Sequence, residues 1–404
     1  MTLAEQRLDY PYAEPADAGR SLPAWIYRDP EFFGLEREYL FMPAWHLVCH
    51  VCDIPRAGDY ATFEILGELA LVVRGKDGVI RAFHNVCRHR AARVLDGPTG
   101  NAGPCIRCPY HAWTYALDGK LIAVPGRAQY DLEEGEHGLA PLACEQLMGL
   151  VFVRFRDDGP SVREALEPIV DALAPYDMER MQPLFPLHQR LRQANWKNAN
   201  DNYNDALHVR AAHPGLSRLI GRTYTLEHGG LVNMLCGEVE ATPTGGWSVR
   251  AYAKTLPAVA HLPERNRRLW LYYQVWPNLC FNLYPDQVEL MQFVPVSPTE
   301  TIVRDAAYAL ADDRREMRAA RYLNVRVNRR VGLEDQDLIE RVQAGMGSSS
   351  FTSGPFGRNE VCLRGLAQRM RTVLPVSRLD RAPVPGTVAQ VNAQMRGAAS
   401  RATS

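Results

Sequence analysis

Two short segments constrain this chain more than its length does. "NVCRHRAARV" carries Cys87 and His89 as a Cys-x-His pair, and "CIRCPYHAW" carries Cys108 and His111 as a Cys-x-x-His pair, with eighteen residues between His89 and Cys108. Each pair offers one thiolate and one imidazole, the side chains that bind borderline and soft transition metals. Both pairs sit in tight loops containing Pro or Arg between β-rich runs, so two loops are brought to one site where the backbone converges on a metal. The cysteine total agrees with this. Nine cysteines in 404 residues are too few and too scattered for a disulfide scaffold, and the odd number leaves at least one unpaired.

The organisation along the chain supports two folded parts. At roughly 150 residues per domain, this length implies two or three domains. Pro11, Pro15, Pro23, Pro30 and Pro43 break up residues 1 to 43 into an irregular arm with a short helix near Phe32 to Phe41. From Trp45 to about Phe155 the texture is β: "WHLVCH", "YATFEI", "LALVVRG", "VIRAFHNV", "HAWTYAL" and "GLVFVRF", with "KDG" and "LDG" as hairpin turns. After "RDDGP", "SVREALEPIVDALAPY" has helical spacing, and Trp196 to His213 is expected as one helix that Pro214 ends. "RLWLYYQVWPN", "LCFNLYP", "VELMQFVPV" and "TIVRDAAYAL" then predict an antiparallel sheet, followed by two helices over 312–330 and 334–344. The last residues, rich in Ala, Pro, Arg and Ser, are expected to be a loose tail.

Charge narrows the partners. Lys plus Arg and Asp plus Glu both total 46, so no net field attracts nucleic acid or an anionic membrane. The N-terminal "MTLAEQRLDYPYAEP" lacks a cationic start with an apolar run, and no stretch approaches the ~20 apolar residues of a membrane span. A soluble, cytoplasmic protein with a small-molecule or protein partner is expected.

Two Cys on one iron and two His on the other is the ligand set of a Rieske [2Fe-2S] cluster. A structural zinc site is the competing assignment, although zinc fingers usually pair Cys with Cys and His with His. Cys49 and Cys52 are expected to be buried structural thiols, and Cys105 a bystander. A second constellation lies in "NWKNANDNYNDALHVRAAHP", where His208 follows Asp205 by three residues and His213 follows His208 by five. A five-residue step rotates about 140 degrees, so His213 joins the other two only if the helix ends or distorts, which Pro214 permits. Two histidines and a carboxylate form the facial triad of non-heme iron(II) oxygenases. A zinc hydrolase is less apt, because His-Glu-x-x-His is missing.

Together these segments resemble the large catalytic subunit of the Rieske non-heme iron oxygenases, the aromatic ring-hydroxylating dioxygenase family. The resemblance runs from "NVCRHRAARV" and "CPYHAWTYALDGKL" through "NWKNANDNYNDALH" to "EDQDLIERVQAG". It implies an α+β chain: an all-β Rieske domain over 44–156, a helix-grip catalytic domain with an antiparallel sheet over 1–43 and 157–380, and a flexible tail over 381–404. It makes Cys87, His89, Cys108 and His111 cluster ligands, and His208 and His213 ligands of a mononuclear Fe(II). Asp205 then becomes a bridge between His208 and His111 of a neighbouring subunit. The third iron ligand becomes Asp335, ahead of Glu340, Gln343 and Gly345, with Asp337 and Glu334 as alternatives. Ala91 stands where the family often has Gly, and Leu207 where it often has Tyr.

The resemblance also implies O2 as co-substrate and external NAD(P)H acting through a separate reductase, with or without a ferredoxin, since no Gly-x-Gly-x-x-Gly follows a strand here. It implies a homotrimer, with or without a small beta subunit. Arg88, Arg90, Arg93 and Arg107 suggest a basic docking face near the cluster loops. Trp247, Tyr252, Tyr273, Phe281 and Tyr284 are candidate pocket residues. An aromatic or similar small organic substrate is expected, as in aromatic hydrocarbon catabolism, with oxidative N- or O-demethylation of a methylammonium or methoxy compound as the alternative. A Rieske electron carrier without catalytic iron is the remote one.

Overall fold

The structure, a computed structural model, describes residues 19–133, 135–156 and 159–402. The irregular arm expected at the N-terminus therefore lies, over residues 1–18, outside the described residues. The chain divides into two compact units, one of Phe41–Glu167 with Asp177–Pro183, the other of Met1–Leu40, Pro168–Tyr176 and Leu184–Ser404. The first runs past the boundary expected at 156 because specific bonds hold the extra residues to it. Trp45 donates to the carbonyl of Pro160 at 2.8 Å, Val162 N–H to Glu145 at 2.8 Å, and His50 Nε2 lies 3.0 Å from the carbonyl of Met178.

The first unit is built from small antiparallel sheets. Strands 80–84, 68–74, 59–65 and 99–101 lie in that order, strand 46–50 pairs with 150–154 and that with 143–147, and 106–107, 114–115 and 121–123 form a third sheet. Gly78 and Gly119 adopt φ of 80° and 89° in the two hairpin turns, where a side chain is unfavourable. Two loops, Cys87–Ala92 and Cys108–Trp113, repeat one backbone pattern. In each the cysteine N–H donates 2.8 Å to the residue five on, and the residue four on donates 3.1 Å back to the cysteine carbonyl.

The second unit is an antiparallel sheet under helices. Its strands run in the order 188–192, 300–309, 288–297, 279–283, 269–275, 232–238 and 225–229. The two late helices expected from the sequence are one, Arg315–Gly345, of 31 residues. Gly332 falls between the two expected segments, and an isolated glycine costs a helix only about 1 kcal/mol. The expected loose tail is also corrected, because Val388–Ala402 is a helix. Val388 and Asn392 are each 1% exposed, and Asn392 accepts the Val376 N–H at 3.3 Å. Alanine-rich composition suits a helix as well as a coil, and burial of one face decides between them.

One buried ion pair fixes the start of the helix Trp196–Asn204. Lys197 Nζ donates to Glu36 at 2.6 Å, Trp196 Nε1 to the other oxygen at 3.1 Å, and Lys197 lies 5.0 Å from the Tyr27 ring centroid. Burial pushes the Glu36 carboxyl up and the Lys197 ammonium down, and their mutual attraction, with the Trp196 bond to Glu36 and the Asp201 charge near Lys197, opposes both shifts. Lys197→Met is expected to cost about 3–5 kcal/mol in urea unfolding, because it strands a buried carboxylate. Glu36→Gln combined with Lys197→Met is expected to cost less than Lys197→Met alone, since the amide is neutral and still accepts from Trp196.

Candidate functional site

The loops at Cys87 and Cys108 end in matched strained turns. Ala91 and Ala112 have φ of 57° and 56°, a left-handed conformation costing an alanine on the order of 1–2 kcal/mol. Ala91, where the family often has Gly, thus carries strain that glycine would not. The two thiols are buried, at 3% and 2% exposure. Burial first, and then the neighbouring Cys108 thiol, raises the pKa of Cys87. The two imidazoles lie together, with His89 and His111 centroids 4.7 Å apart. His89 stacks on Trp113 at 4.9 Å with planes 5° apart, and its buried Nδ1 has no hydrogen-bond partner among the described residues. Tyr115 OH accepts the Arg88 N–H at 3.0 Å and lies 3.2 Å from Cys87 Sγ.

Paired thiols beside paired imidazoles suit a two-iron cluster with Cys on one iron and His on the other. A single zinc ion needs all four donors about one point. Among the described residues the three or more donors that gather within 4.8 Å are instead His208, His213 and Asp335. The four loop residues therefore suit a cluster better than one ion. Arg88, Arg90, Arg93 and Arg107 are all exposed, although Arg93 pairs with Glu64 at 2.8 Å. Cys49 is buried in its strand, Cys52 is half-buried 2.9 Å from His50 Nδ1, and Cys105 is partly exposed.

The second donor set comes from a broken helix. The single helix expected from Trp196 to His213 is two, Trp196–Asn204 and Leu207–Ala212, with a third, Pro214–Ile220, beginning at Pro214. Asp205 leaves the helix with extended backbone, and its carboxylate accepts the N–H of Leu207 at 2.7 Å and of His208 at 3.1 Å. Proline starts the third helix because its fixed φ and missing N–H suit a first turn. His213 sits at the junction, which solves the 140-degree problem by re-aiming the chain. Leu207 is 55% exposed, so its departure from the family pattern lies on the surface.

Three side chains then converge. His213 Nε2 lies 2.8 Å and His208 Nε2 3.6 Å from the same Asp335 oxygen. The Nδ1 atoms are held from behind, His208 by Asp205 at 3.0 Å and His213 by Glu334 at 2.9 Å. Asn202 donates to Asp335 at 2.7 Å. Of the three acidic candidates, Asp335 is thus the one among the histidines. Glu334 stands behind His213, and Asp337 pairs with Arg341 at the surface. Burial lowers both imidazoles' affinity for a proton, yet Asp205 and Asp335 outweigh it and push His208 up to about 9. Burial likewise opposes ionisation of Asp335, but the histidines hold it down to about 2. The arrangement wants a positive charge at its centre, and two Nε2 atoms with one carboxylate oxygen can hold a divalent cation there.

A cavity of about 760 Å³ lies against these three residues, between the helices and the sheet. Its floor is one face of the sheet, on which cross-strand partners share a side. Tyr272 pairs with Asn282, Asn282 with Glu289, Met291 with Asp305, Phe293 with Val303, and Val303 with Arg190. Of the five aromatic residues expected here, only Tyr284 lines the cavity. Tyr273 and Phe281, paired with each other, are one residue out of phase and face the other way. Trp247 and Tyr252 belong to a helix, Trp247–Thr255, where Trp247 is 53% exposed and Tyr252 is core. Tyr203, Tyr224, Glu289 and Arg192 line the cavity and were not singled out in the sequence. Strand alternation was the only signal for Glu289 and Arg192.

The two donor sets are separable in this geometry. Asp335→Ala is expected to remove one iron per chain and leave the visible absorbance of a [2Fe-2S] cluster. Iron analysis with absorbance checks this, and joint loss of both signals would contradict two independent sites. Tyr115→Phe removes a hydroxyl from the Cys87 sulfur and is expected to lower the cluster's reduction potential in a redox titration.

Comparison with known proteins agrees with both halves. A Rieske [2Fe-2S] domain model matches residues 44–143, and a model of the ring hydroxylating alpha subunit catalytic domain matches 171–375. The chain is 38% identical over 224 residues to the glycine betaine monooxygenase oxygenase subunit of Chromohalobacter salexigens, covering 53% of this chain and 50% of that one. It therefore spans about half the length of that relative. The carnitine monooxygenase oxygenase subunit of Escherichia coli is 30% identical over 84% of this chain and 87% of its own. A quaternary ammonium Rieske monooxygenase structure superimposes with a TM-score of 0.74 at 24% identity, covering 92% of this chain and 99% of that one. Naphthalene 1,2-dioxygenase from Rhodococcus sp. gives 0.72 at 21%, covering 87% and 94%. With a family model over half of the chain and a relative matched over most of its length, this chain belongs to the Rieske non-heme iron oxygenase family, with a Rieske [2Fe-2S] domain and the catalytic domain of a ring-hydroxylating alpha subunit.

Proposed function

We propose that this protein is the oxygenase component of a multicomponent Rieske system and that it oxidises a quaternary ammonium compound at a C–H bond beside the nitrogen. The observation that carries this is Glu289 on the cavity floor. It is half-buried in the cavity that Tyr203, Tyr272 and Tyr284 also line, with Asn282 donating to its Oε2 at 3.0 Å and Tyr284 OH at 3.4 Å. Burial and then Asp305 push its carboxyl up to about 7. Tyrosine rings in the same cavity as a half-buried carboxylate attract an alkylated ammonium, which offers charge and methyl groups but no hydrogen-bond donors. The relatives' names point the same way, toward glycine betaine and carnitine.

In this proposal Cys87, His89, Cys108 and His111 hold the cluster, and His208, His213 and Asp335 the iron. When bound, these groups supply electron delivery and O2 activation. The C–H bond becomes C–OH with one oxygen atom of O2, and the other leaves as water with two electrons from NAD(P)H, through a reductase, and two protons. The N–C–OH carbon then collapses: the hydroxyl loses its proton to water, the C=O bond forms, and the C–N electron pair leaves with nitrogen, giving a carbonyl compound and a tertiary amine. The chain's own residues set the geometry. Tyr272, Tyr284 and Glu289 hold the ammonium, and Asp205 fixes the ring and tautomer of His208. In a head-to-tail homotrimer, His111 of one copy meets Asp205 of the next, which couples the two centres. The exposed arginines around the cluster loops then face an acidic electron donor. Seven thiols besides the two given to the cluster, none in a disulfide, suit a reducing cytoplasmic setting.

An aromatic hydrocarbon is the second reading, favoured by the Tyr and Phe lining. Such a ring has no use for Glu289. Substrate-dependent O2 uptake with a surrogate reductase separates the two: quaternary ammonium compounds are expected to drive uptake and release of a carbonyl product, and uptake with aromatic hydrocarbons alone would overturn the assignment. The pH dependence has a definite sign. A cation binds to Glu289 only when its carboxyl is ionised, so kcat/KM is expected to rise with pH through about 7. Glu289→Gln is expected to flatten that rise and lower kcat/KM roughly 10- to 100-fold. Asp205→Asn is expected to keep both metals, by iron analysis, while turnover falls about 10- to 100-fold.

A further inference from the structure

Arg192 lines the cavity and has no part in holding the three converging donors or Glu289. It is 8% exposed, on the edge strand His188–Arg192. Its hydrogen bond among the described residues is a long one, 3.4 Å to the carbonyl of Leu191. Its neighbour Arg190 is matched by Asp305 at 3.2 Å, whereas no carboxylate among the described residues lies within ion-pair distance of Arg192. Burial and then the Arg190 charge disfavour its own charge. A buried guanidinium with five donors and almost no acceptor is costly unless an anion arrives to meet it.

Its position relative to Glu289 supplies the rest. On the strand 300–309, Arg192 is opposite Thr301 and Glu289 is opposite Ala307. Six residues separate these points, roughly 20 Å of backbone at ~3.3 Å per residue, and two long side chains in one cavity shorten that span. The long helix crosses above it. Asn324 is tied to Gln287 at 3.3 Å near the Glu289 end, and Glu340 and Asp335 exert their charge on Arg192 at the other. Asp335, Glu289 and Arg192 all line this one cavity, which has an anionic, tyrosine-lined end and a cationic end.

We propose that Arg192 receives the anionic end of the substrate, a carboxylate or similar oxyanion, so that the cavity selects zwitterionic over purely cationic quaternary ammonium compounds. The inference rests on the quaternary ammonium assignment and deepens it. A planar guanidinium meets a carboxylate with two parallel bonds, and anchoring both ends sets which C–H faces the three converging donors.

The test compares γ-butyrobetaine with butyltrimethylammonium, in which a methyl group replaces the carboxylate. Binding to the metal-loaded enzyme is measured by calorimetry without O2, and turnover by O2 uptake. Wild type is expected to favour γ-butyrobetaine by roughly 10- to 100-fold in both measurements. Arg192→Met is expected to bring the ratio close to one, with Arg192→Lys between. If wild type binds both compounds equally, the role of Arg192 falls while the quaternary ammonium assignment stands. If it binds neither, that assignment falls and takes the subsite with it. A ratio in Arg192→Met equal to the wild-type ratio, with the cluster absorbance intact, also overturns the role. The wild-type comparison needs no variant and decides the matter even if Arg192→Met fails to fold.

Discussion

Everything in the catalytic unit is arranged around one awkward requirement: two imidazoles and a carboxylate from separate helices must meet at one oxygen of Asp335. In water such groups have no reason to converge, and out of it their burial is unfavourable unless a positive charge sits among them. Each donor is therefore held from behind. Asp205 takes the far nitrogen of His208, Glu334 that of His213, and Asn202 bonds to Asp335 itself. The helices are pinned in turn. Gln343 accepts from Asn195 and Asn198 at 2.8 Å each, tying the end of the long helix to the start of the helix that bears Asn202. The buried Glu36–Lys197 pair anchors that same start. Loss of any pin moves a donor, and a metal site tolerates little movement.

The cavity follows from the same arrangement, because the helices that carry the donors also roof the sheet. What distinguishes this cavity is the chemistry of its floor. Glu289 sits among tyrosines, and Arg192 has no carboxylate within ion-pair distance among the described residues, so each carries charge that its surroundings satisfy poorly. Each becomes favourable when a ligand brings the opposite charge. Binding energy is thereby concentrated at the two ends of the substrate and leaves the middle for the reaction.

The metal donors were legible because their chemistry is restricted to few residue types. Cys87, His89, Cys108 and His111 stood out by type and spacing, as did His208 and His213. The helix around them was not legible as drawn. "NWKNANDNYNDALH" has helical spacing throughout, yet Asp205 spends its carboxylate on the N–H groups that follow and breaks the helix there. This competition between side chain and backbone is available to any Asp. The cavity face of the sheet is not legible in the sequence for a different reason. Tyr273 and Phe281 sit in strands as hydrophobic on one side as on the other, so no alternation marked the cavity face. The tail looked disordered because composition carries no information about what a helix packs against.

The sequence by itself determined the two metal-ligand sets, the order of an all-β part before a helix-and-sheet part, and, through the family resemblance, the acidic helix that supplies a third donor. These are local: they depend on which residues occur and how far apart they stand. Only the tertiary structure decided that Asp335, and not Glu334 or Asp337, joins the histidines, and that Glu289 and Arg192 share one floor. Both outcomes turn on a rotation of about 100 degrees per helix residue or a half-turn per strand residue. One position along the chain then moves a side chain from the site to solvent or core, and the choice is made by what the rest of the molecule packs against it.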